Sequence, residues 1–289
     1  MASPRTIMDY IRLASAHLDA SGVQSPRLDA EVLLADLLGI ERIQLYVQYD
    51  RPLIRPEVDA YRRRIARRAR REPVAYITGK REFYSLEFKV DRRCLVPRPE
   101  TEHLVDTALA ELAARFAGKD YLKVADVGTG SGAIAVSVAR TEPRAVVTAT
   151  DIDAGALALA AENAERHGVS DRVRFVEGDL LVPLGDEMYD CILSNPPYVA
   201  DEDWEKLPPD VRLYEPKIAL AGGPDGLACI RRLITSAWPR LAPGGFLALE
   251  IGYDQGQRVL ELARAEGYAH ARLVKDLAGH DRVAVMAKE

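Results

Sequence analysis

Apolar residues recur along this chain with two different periods, and the change falls near residue 80. Ile7, Ile11, Ala14 and Leu18 lie at helical spacing before Gly22. Ser25-Pro26 reads as a helix cap followed by a first-turn proline, leading into Leu28, Val32, Leu33 and Leu37 before Gly39. Pro56 opens a third helix over residues 57–72, which Pro73 stops. Residues 1–75 are therefore expected to form a small helical bundle. Across 81–90, "REFYSLEFKV", the period becomes two, with Phe83, Ser85, Glu87 and Lys89 set against Tyr84, Leu86, Phe88 and Val90. That alternation predicts a β-hairpin turning near Ser85, inside a linker spanning 76–97.

Beyond Glu100 helical and strand patterns alternate. Helices are expected over 100–116, 133–140, 154–167, 227–238 and 255–265. Strands are expected over 122–127, 145–150, 173–177, 189–194 and 246–251, with two more near Ala271 and Val283. The alternation predicts an α/β domain over 98–289, built on a Rossmann-like, mostly parallel, seven-stranded sheet with helices on both faces. Ligands in such sheets sit at the carboxyl ends of the strands.

Composition agrees with a folded protein: 48% hydrophobic and 29% charged in 289 residues. No apolar stretch approaches the roughly 18 residues that cross a bilayer. Asp9, Arg12 and Asp19 interrupt the start where a secretion signal needs an apolar centre, so the expected location is the cytoplasm, with no membrane partner. Cys94, Cys191 and Cys229 are widely spaced and form no C-x-x-C pair, which predicts three reduced thiols and no metal site. Of the 39 Lys+Arg and 44 Asp+Glu, residues 1–80 hold 14 and 10, so a basic first part precedes an acidic remainder.

The candidate chemistry begins in "VADVGTGSGAIAV". Gly128, Gly130 and Gly132, with Thr129 and Ser131 between them, join a strand to a helix, where backbone can approach a ligand without a Cβ clash. Gly128 to Ala133 also fits the dinucleotide pattern G-x-G-x-x-[GA], so a nicotinamide-type fold, even a non-catalytic one, competes. Asp151, at the end of the next strand, suits the ribose hydroxyls of either cofactor. Asp126 leans one way: a carboxylate two residues before the first glycine repels a pyrophosphate but suits an ammonium or sulfonium, as in S-adenosyl-L-methionine. Asp179 could accept from an adenine amino group, with Leu180 packed on the ring.

Asn195-Pro196-Pro197-Tyr198 follows the fourth strand. A planar NH2 is a poor nucleophile because its lone pair is delocalised. If Asn195 Oδ1 and the Pro196 carbonyl each accept one N–H, that nitrogen is held in line with a methyl group, the prolines keep the acceptors still, and Tyr198 can stack on the flat group.

The Asp-x-Gly-x-Gly-x-Gly run with Asn-Pro-Pro-Tyr resembles class I methyltransferases that modify amino or amide nitrogen. Residues 73–105, "PVAYITGKREFYSLEFKVDRRCLVPRPETEHLV", residues 210–227, "DVRLYEPKIALAGGPDGL", and the N-terminal helices narrow the resemblance to the peptide chain release factor glutamine methyltransferase family, over nearly the whole chain. The resemblance implies methylation of the glutamine side-chain amide in the Gly-Gly-Gln motif of class I release factors, with the helical domain gripping the release factor. It places Gly128, Thr129, Gly130, Ser131, Gly132, Asp151 and Leu180 on the cofactor, and Asn195, Pro196, Pro197 and Tyr198 on the glutamine; Asp179 and Asn195 are expected at the cofactor as well. It lays the segment 95–102 over the cofactor. A monomer is the default.

The alternative within the class is an adenine-N6 nucleic-acid methyltransferase. Seven arginines in 62–71 would serve phosphate contacts, but equally a solvated helix face or a platform for a release factor or nearby ribosomal RNA. The segment 199–226, acidic at Asp201, Glu202, Asp203 and Glu205, suits DNA poorly and reads as a lid anchored by Trp204 and Tyr214. His17, His103, His167, His270 and His280 share no motif and are expected at the surface or in packing.

Overall fold

The computed structural model describes residues 5–288. It divides into two compact units. The first runs to Lys80 and also takes in Pro208–Tyr214; the second comprises Arg81–Leu207 and Glu215 onward. The hairpin thus counts almost wholly with the second unit.

The first unit holds α1 (Ile7–Ala20), α2 (Pro26–Leu38), α3 (Arg42–Val47), α4 (Arg55–Ala69) and α5 (Val74–Thr78). Thr6 starts α1 with a capping box: its hydroxyl accepts from the Asp9 N–H while Asp9 accepts from the Thr6 N–H. Ile7, Ile11 and Leu18 are buried as the spacing predicts. In α2 the buried face differs: Ala30, Leu33 and Leu34 are covered while Leu28 is exposed. The reason is that α2 is touched by α1, α3, α4 and α5, which select a broader face than the leucine spacing alone. The third predicted helix ends earlier, at Ala69, and Pro73 instead precedes α5. The arginine run is neither a free basic face nor wholly solvated. Arg64 pairs with Asp36, Arg67 with Glu72, and Arg68 with Asp29 and Asp210, while Arg71 pairs with Asp210 and donates to the Gly22 carbonyl. Arg62, Arg63 and Arg70 stay exposed.

The second unit opens with the hairpin β1 (Lys80–Phe83) and β2 (Leu86–Lys89). Tyr84 and Ser85 both take positive φ, 52° and 58°, which a two-residue hairpin turn matched to strand twist requires. Neither is glycine; Glu102 Oε1 accepts the Tyr84 N–H at 2.9 Å and Asp106 accepts its hydroxyl at 2.8 Å, holding the turn. Then follow α6 (Glu102–Arg115), β3 (Leu122–Val127), α7 (Ala133–Thr141), β4 (Ala145–Asp151), α8 (Ala154–Arg166), β5 (Val173–Glu177) and β6 (Tyr189–Ser194). After α9 (Pro209–Tyr214), which belongs to the first unit, come α10 (Ala228–Ala237), β7 (Leu241–Glu250), α11 (Gly256–Glu266), β8 (His270–Lys275) and β9 (Asp281–Ala287).

The seven strands lie in the order β5-β4-β3-β6-β7-β9-β8. All neighbours from β5 through β7 are parallel, whereas β9 runs antiparallel to both β7 and β8. Every residue of β6 is buried, as in a parallel strand covered on both faces. The chain reverses its direction of spread between β3 and β6, and a crevice opens beyond the carboxyl ends at such a switch point. Among the described residues no helix is long and apolar enough to cross a membrane.

Candidate active site

A cavity of about 460 Å³ occupies that switch point. Its floor is the loop from β3 to α7. Gly128 and Thr129 both donate their N–H to the Thr150 carbonyl, at 2.8 and 2.9 Å, which folds the loop back over β4. A Cβ on Gly128 would enter open space, and one on Gly130 would meet only Cys94 Cβ at 3.9 Å, so both glycines leave the backbone bare to the cavity. Gly132 serves packing instead: its φ is +79°, and a Cβ there would lie 3.0 Å from the Ala160 Cβ. It does not line the cavity, whereas Gly128, Thr129, Gly130 and Ser131 do.

Asp151 ends β4 at the wall. Its Oδ2 accepts the Gly130 N–H at 2.9 Å and Oδ1 the Asp153 N–H at 3.0 Å, so the same carboxylate shapes the loop and faces the cavity. Burial holds its carboxyl above the ordinary range. Beside it Ile152 is half exposed at the wall, opposite in character to the polar loop. Leu180 lines the cavity with φ +51°, and its carbonyl accepts from the Thr150 hydroxyl at 2.9 Å. Asp179 also reaches the wall, but its carboxylate is engaged by Arg232 at 2.5 Å.

Asp126 lies beneath the loop, fully buried, rather than at the wall. Its Oδ2 accepts from the Thr129 hydroxyl at 2.6 Å and from the Ala135 N–H at 3.1 Å, while Oδ1 has no partner among the described residues. Burial is the main reason its carboxyl is pushed up to about 7.

The opposite wall is Asn195 and Pro197. The Asn195 Nδ2 donates to the Thr101 hydroxyl at 3.1 Å, and Thr101 donates to Glu250 Oε2 at 2.5 Å. Pro196 is buried and Tyr198 partly so, and neither lines the cavity; the Tyr198 ring packs on the core, its hydroxyl donating to Glu250 Oε1 at 3.3 Å. The segment 95–101 crosses the cavity through Leu95, Pro97, Arg98 and Thr101. It is tied down by the buried Glu215, which accepts from the Val96 N–H at 3.1 Å and pairs with Arg98 at 2.5 Å. Trp204 carries the Lys217 ammonium 4.9 Å from its ring centre, and Tyr214 donates to the Arg70 carbonyl at 2.7 Å within the first unit.

Among the described residues no histidine or lysine lines the cavity. Cys94 and Cys229 do, and burial pushes their thiols up to about 12 and about 11, so both are poor nucleophiles at neutral pH. Ile152, Thr101, Glu215 and Glu250 were not singled out from the sequence. Ile152 and Glu250 carried a signal all the same, since each falls at the carboxyl end of an apolar strand.

Bare glycine backbone, an acid ending the second strand of the sheet and an apolar flank from Ile152 and Leu180 fit a nucleoside bearing a cation, with the orphaned Asp126 oxygen below. With the antiparallel β9 inserted between β7 and β8, they define a class I methyltransferase that uses S-adenosyl-L-methionine. The profile of the PrmC N-terminal domain matches residues 9–79, and that of the methyltransferase small domain matches 101–207. The release factor glutamine methyltransferase of Rhodopirellula baltica is 42% identical over 288 residues, 99% of this chain and 97% of its own. That of Geobacter sulfurreducens is 43% identical, covering 96% of this chain and 94% of its own. The chain belongs to the release factor glutamine methyltransferase family. Solved structures agree on the fold. A methyltransferase from Pyrococcus furiosus has a TM-score of 0.51 at 22% identity, covering 78% of this chain and 98% of that one. The N-terminal domain of human METTL16 in complex with SAH has 0.52 at 18%, covering 71% and 75%.

Proposed function

We propose that this enzyme acts in the cytoplasm on class I peptide chain release factors, methylating the side-chain amide nitrogen of the glutamine in their Gly-Gly-Gln motif. S-adenosyl-L-methionine supplies a methyl group on a sulfonium whose sulfur takes the bonding pair as the new N–C bond forms. Gly128, Thr129, Gly130, Ser131, Asp151 and Leu180 hold the cofactor, with Gly132 setting the loop behind them and Asp179 at the rim.

The observation that carries this reading is the orientation of Asn195. Its Nδ2 is spent on Thr101, which leaves Oδ1 as an acceptor. With the Pro196 carbonyl it can accept both N–H groups of a planar amide, fixing the nitrogen in line and drawing its lone pair out of conjugation. The methylated nitrogen is acidic and sheds its proton without a strong base, in keeping with a wall that has no histidine or lysine among the described residues. Pro197 and the strap 95–101 keep the cavity dry, which favours dispersal of the sulfonium charge.

In this reading the first unit grips the release factor. Arg62, Arg63 and Arg70 are available for that purpose, since the other arginines of the run are paired internally. The adenine alternative gains no support from the run for the same reason.

Labelled S-adenosyl-L-methionine offered with a release factor and with DNA tests the substrate: label is expected in the protein, and label in DNA refutes the proposal. Asn195→Ala is expected to keep cofactor affinity within a few-fold and to lower kcat roughly 100-fold or more, the scale of removing one aligned partner. Normal turnover by that variant removes Asn195 from its role.

A further inference from the structure

Glu250 is a fully buried carboxylate that does not line the cavity and that the reaction as described does not use. Burying a charge is unfavourable unless its oxygens are fully engaged, so its partners indicate what it does. They are the Thr101 hydroxyl on Oε2 and the Tyr198 hydroxyl on Oε1, one from the strap and one from the tetrad.

A hydroxyl has one hydrogen, and an ionised carboxylate has none. The hydrogen of Thr101 must therefore point at Glu250, and its oxygen can only accept from Asn195. That condition selects one of the two orientations of the Asn195 amide, the one with Nδ2 on Thr101 and Oδ1 free. We propose that Glu250, acting through Thr101, is the positioning residue that keeps Asn195 Oδ1 turned to the substrate amide. This inference rests on the proposed role of Asn195 and adds to it the group that enforces it.

The chain of bonds has a polarity that a proton on Glu250 reverses. A protonated carboxyl donates to Thr101, whose own hydrogen is then free to point at Asn195 Oδ1 and permit the opposite amide orientation. The groups facing Glu250 act in both directions. Burial raises its carboxyl above the ordinary range and Glu100 adds to that, while the Thr101 and Tyr198 hydroxyls and the Arg282 guanidinium on β9 oppose it. The polarity is thus present while Glu250 is ionised and is lost as pH falls through its raised carboxyl, above the usual carboxylate range.

The test is kcat and KM for an intact release factor, with saturating S-adenosyl-L-methionine, across pH 5.5 to 9. Wild-type kcat is expected to show an acid limb. In Glu250→Gln, kcat at neutral pH falls roughly tenfold or more, the scale of removing a supporting partner, and the acid limb disappears. Cofactor affinity is expected to change much less. Thr101→Val shows the same loss, Thr101→Ser recovers most of it, and the Thr101→Val/Glu250→Gln pair is no worse than either change alone. Wild-type kcat in Glu250→Gln, or an acid limb that survives in it, overturns the inference. If Glu250→Gln does not fold, the comparison rests on Thr101, and equal kcat for the Val and Ser variants overturns it. Asn195→Ala measured alongside separates the two claims. A crippled Asn195→Ala with an unaffected Glu250→Gln refutes the positioning role alone; a normal Asn195→Ala refutes the role of Asn195 as well.

Discussion

Replacing Asp126 by asparagine should change how stability depends on pH. Asp126 is fully buried, and burial lifts its carboxyl from 3.8 to about 7, outweighing the Thr129 and Ala135 hydrogen bonds that favour the charged form. Between those values the unfolded chain has released the proton and the folded one retains it. A group raised in this way contributes stability that is complete below 3.8 and is lost as pH rises to about 7. At 1.36 kcal/mol per unit the full loss is roughly 4 kcal/mol, and the part falling between pH 5 and pH 8 is roughly 2 to 3 kcal/mol.

The asparagine side chain keeps an oxygen for Thr129 and Ala135 but cannot ionise. It also sets an NH2 where the Asp126 Oδ1 has no partner, which lowers stability by about 1 to 3 kcal/mol at every pH. The readout is therefore the difference between two pH values. Urea unfolding of wild type and Asp126→Asn, without cofactor, at pH 5 and pH 8 is the assay. Glu250, also raised by burial, is present in both proteins and cancels in the comparison, while Asp151 is present in both and adds to the rise at Asp126. Wild type should lose roughly 2 to 3 kcal/mol more than the variant between the two pH values. If both lose stability in parallel, Asp126 does not carry a raised carboxyl and the account of the buried loop fails.

Asp151→Ala is expected to weaken cofactor binding by about 2 kcal/mol, roughly 30-fold in Kd by titration calorimetry; an unchanged Kd contradicts its role at the ribose. Gly226→Ala should destabilise by several kcal/mol and depress kcat. At φ +72° its Cβ would lie 2.4 Å from the Tyr198 carbonyl oxygen and 2.6 Å from Gln255 Nε2, so wild-type melting would refute that packing. Arg68→Ala should lower the stability of the first unit by roughly 2 to 4 kcal/mol, because it strands Asp29 and leaves Asp210 with Arg71 alone, while exposed Arg62→Ala should stay within about 0.5 kcal/mol. Equal effects of the two would refute the division of the arginine run.

What the sequence makes legible follows how far apart the causes lie. The alternation of helix and strand beyond residue 100 could be read because buried parallel strands are continuous apolar runs and the helices between them have their own period. Helix α3 could not: six residues without a side-chain cap leave no periodic mark. The covered face of α2 escaped as well, since its neighbours rather than its leucines decide it. The same holds in the site. The glycine loop, Asp151 and Asn195 are local patterns with local chemistry. Thr101 reaches Asn195 across 94 residues and Glu250 across 149, and no local pattern reports such pairings. The arginine run misleads for a related reason: Arg68 meets Asp210 from 142 residues away, so a stretch that looks like a surface is partly core.

Two prolines account for less of the tetrad's rigidity than their number suggests. They fix φ at 196 and 197, but they do not anchor the tetrad to the sheet. Tyr198 reaches Glu250 on β7, and the chain beyond the tetrad adds further ties. Val199 donates to the Leu220 carbonyl and accepts from the Gly222 N–H, at 2.9 and 2.8 Å, which ties the exit of the tetrad to the segment 220–222. Gln255 Nε2 bridges the carbonyls of Tyr198 and Gly226, at 3.0 and 3.3 Å, and Gln255 is itself oriented by the Gly252 N–H. Only glycine allows this approach, since a Cβ at 222 would sit 2.8 Å from the Tyr198 Cα. The run Gly222-Gly223-Pro224-Asp225-Gly226 is thus the buttress of Asn-Pro-Pro-Tyr. Loosening it should impair turnover more than cofactor affinity, because Gly222 and Gly223 reach the cavity wall while the glycine loop is held by its own bonds to Thr150 and Asp151.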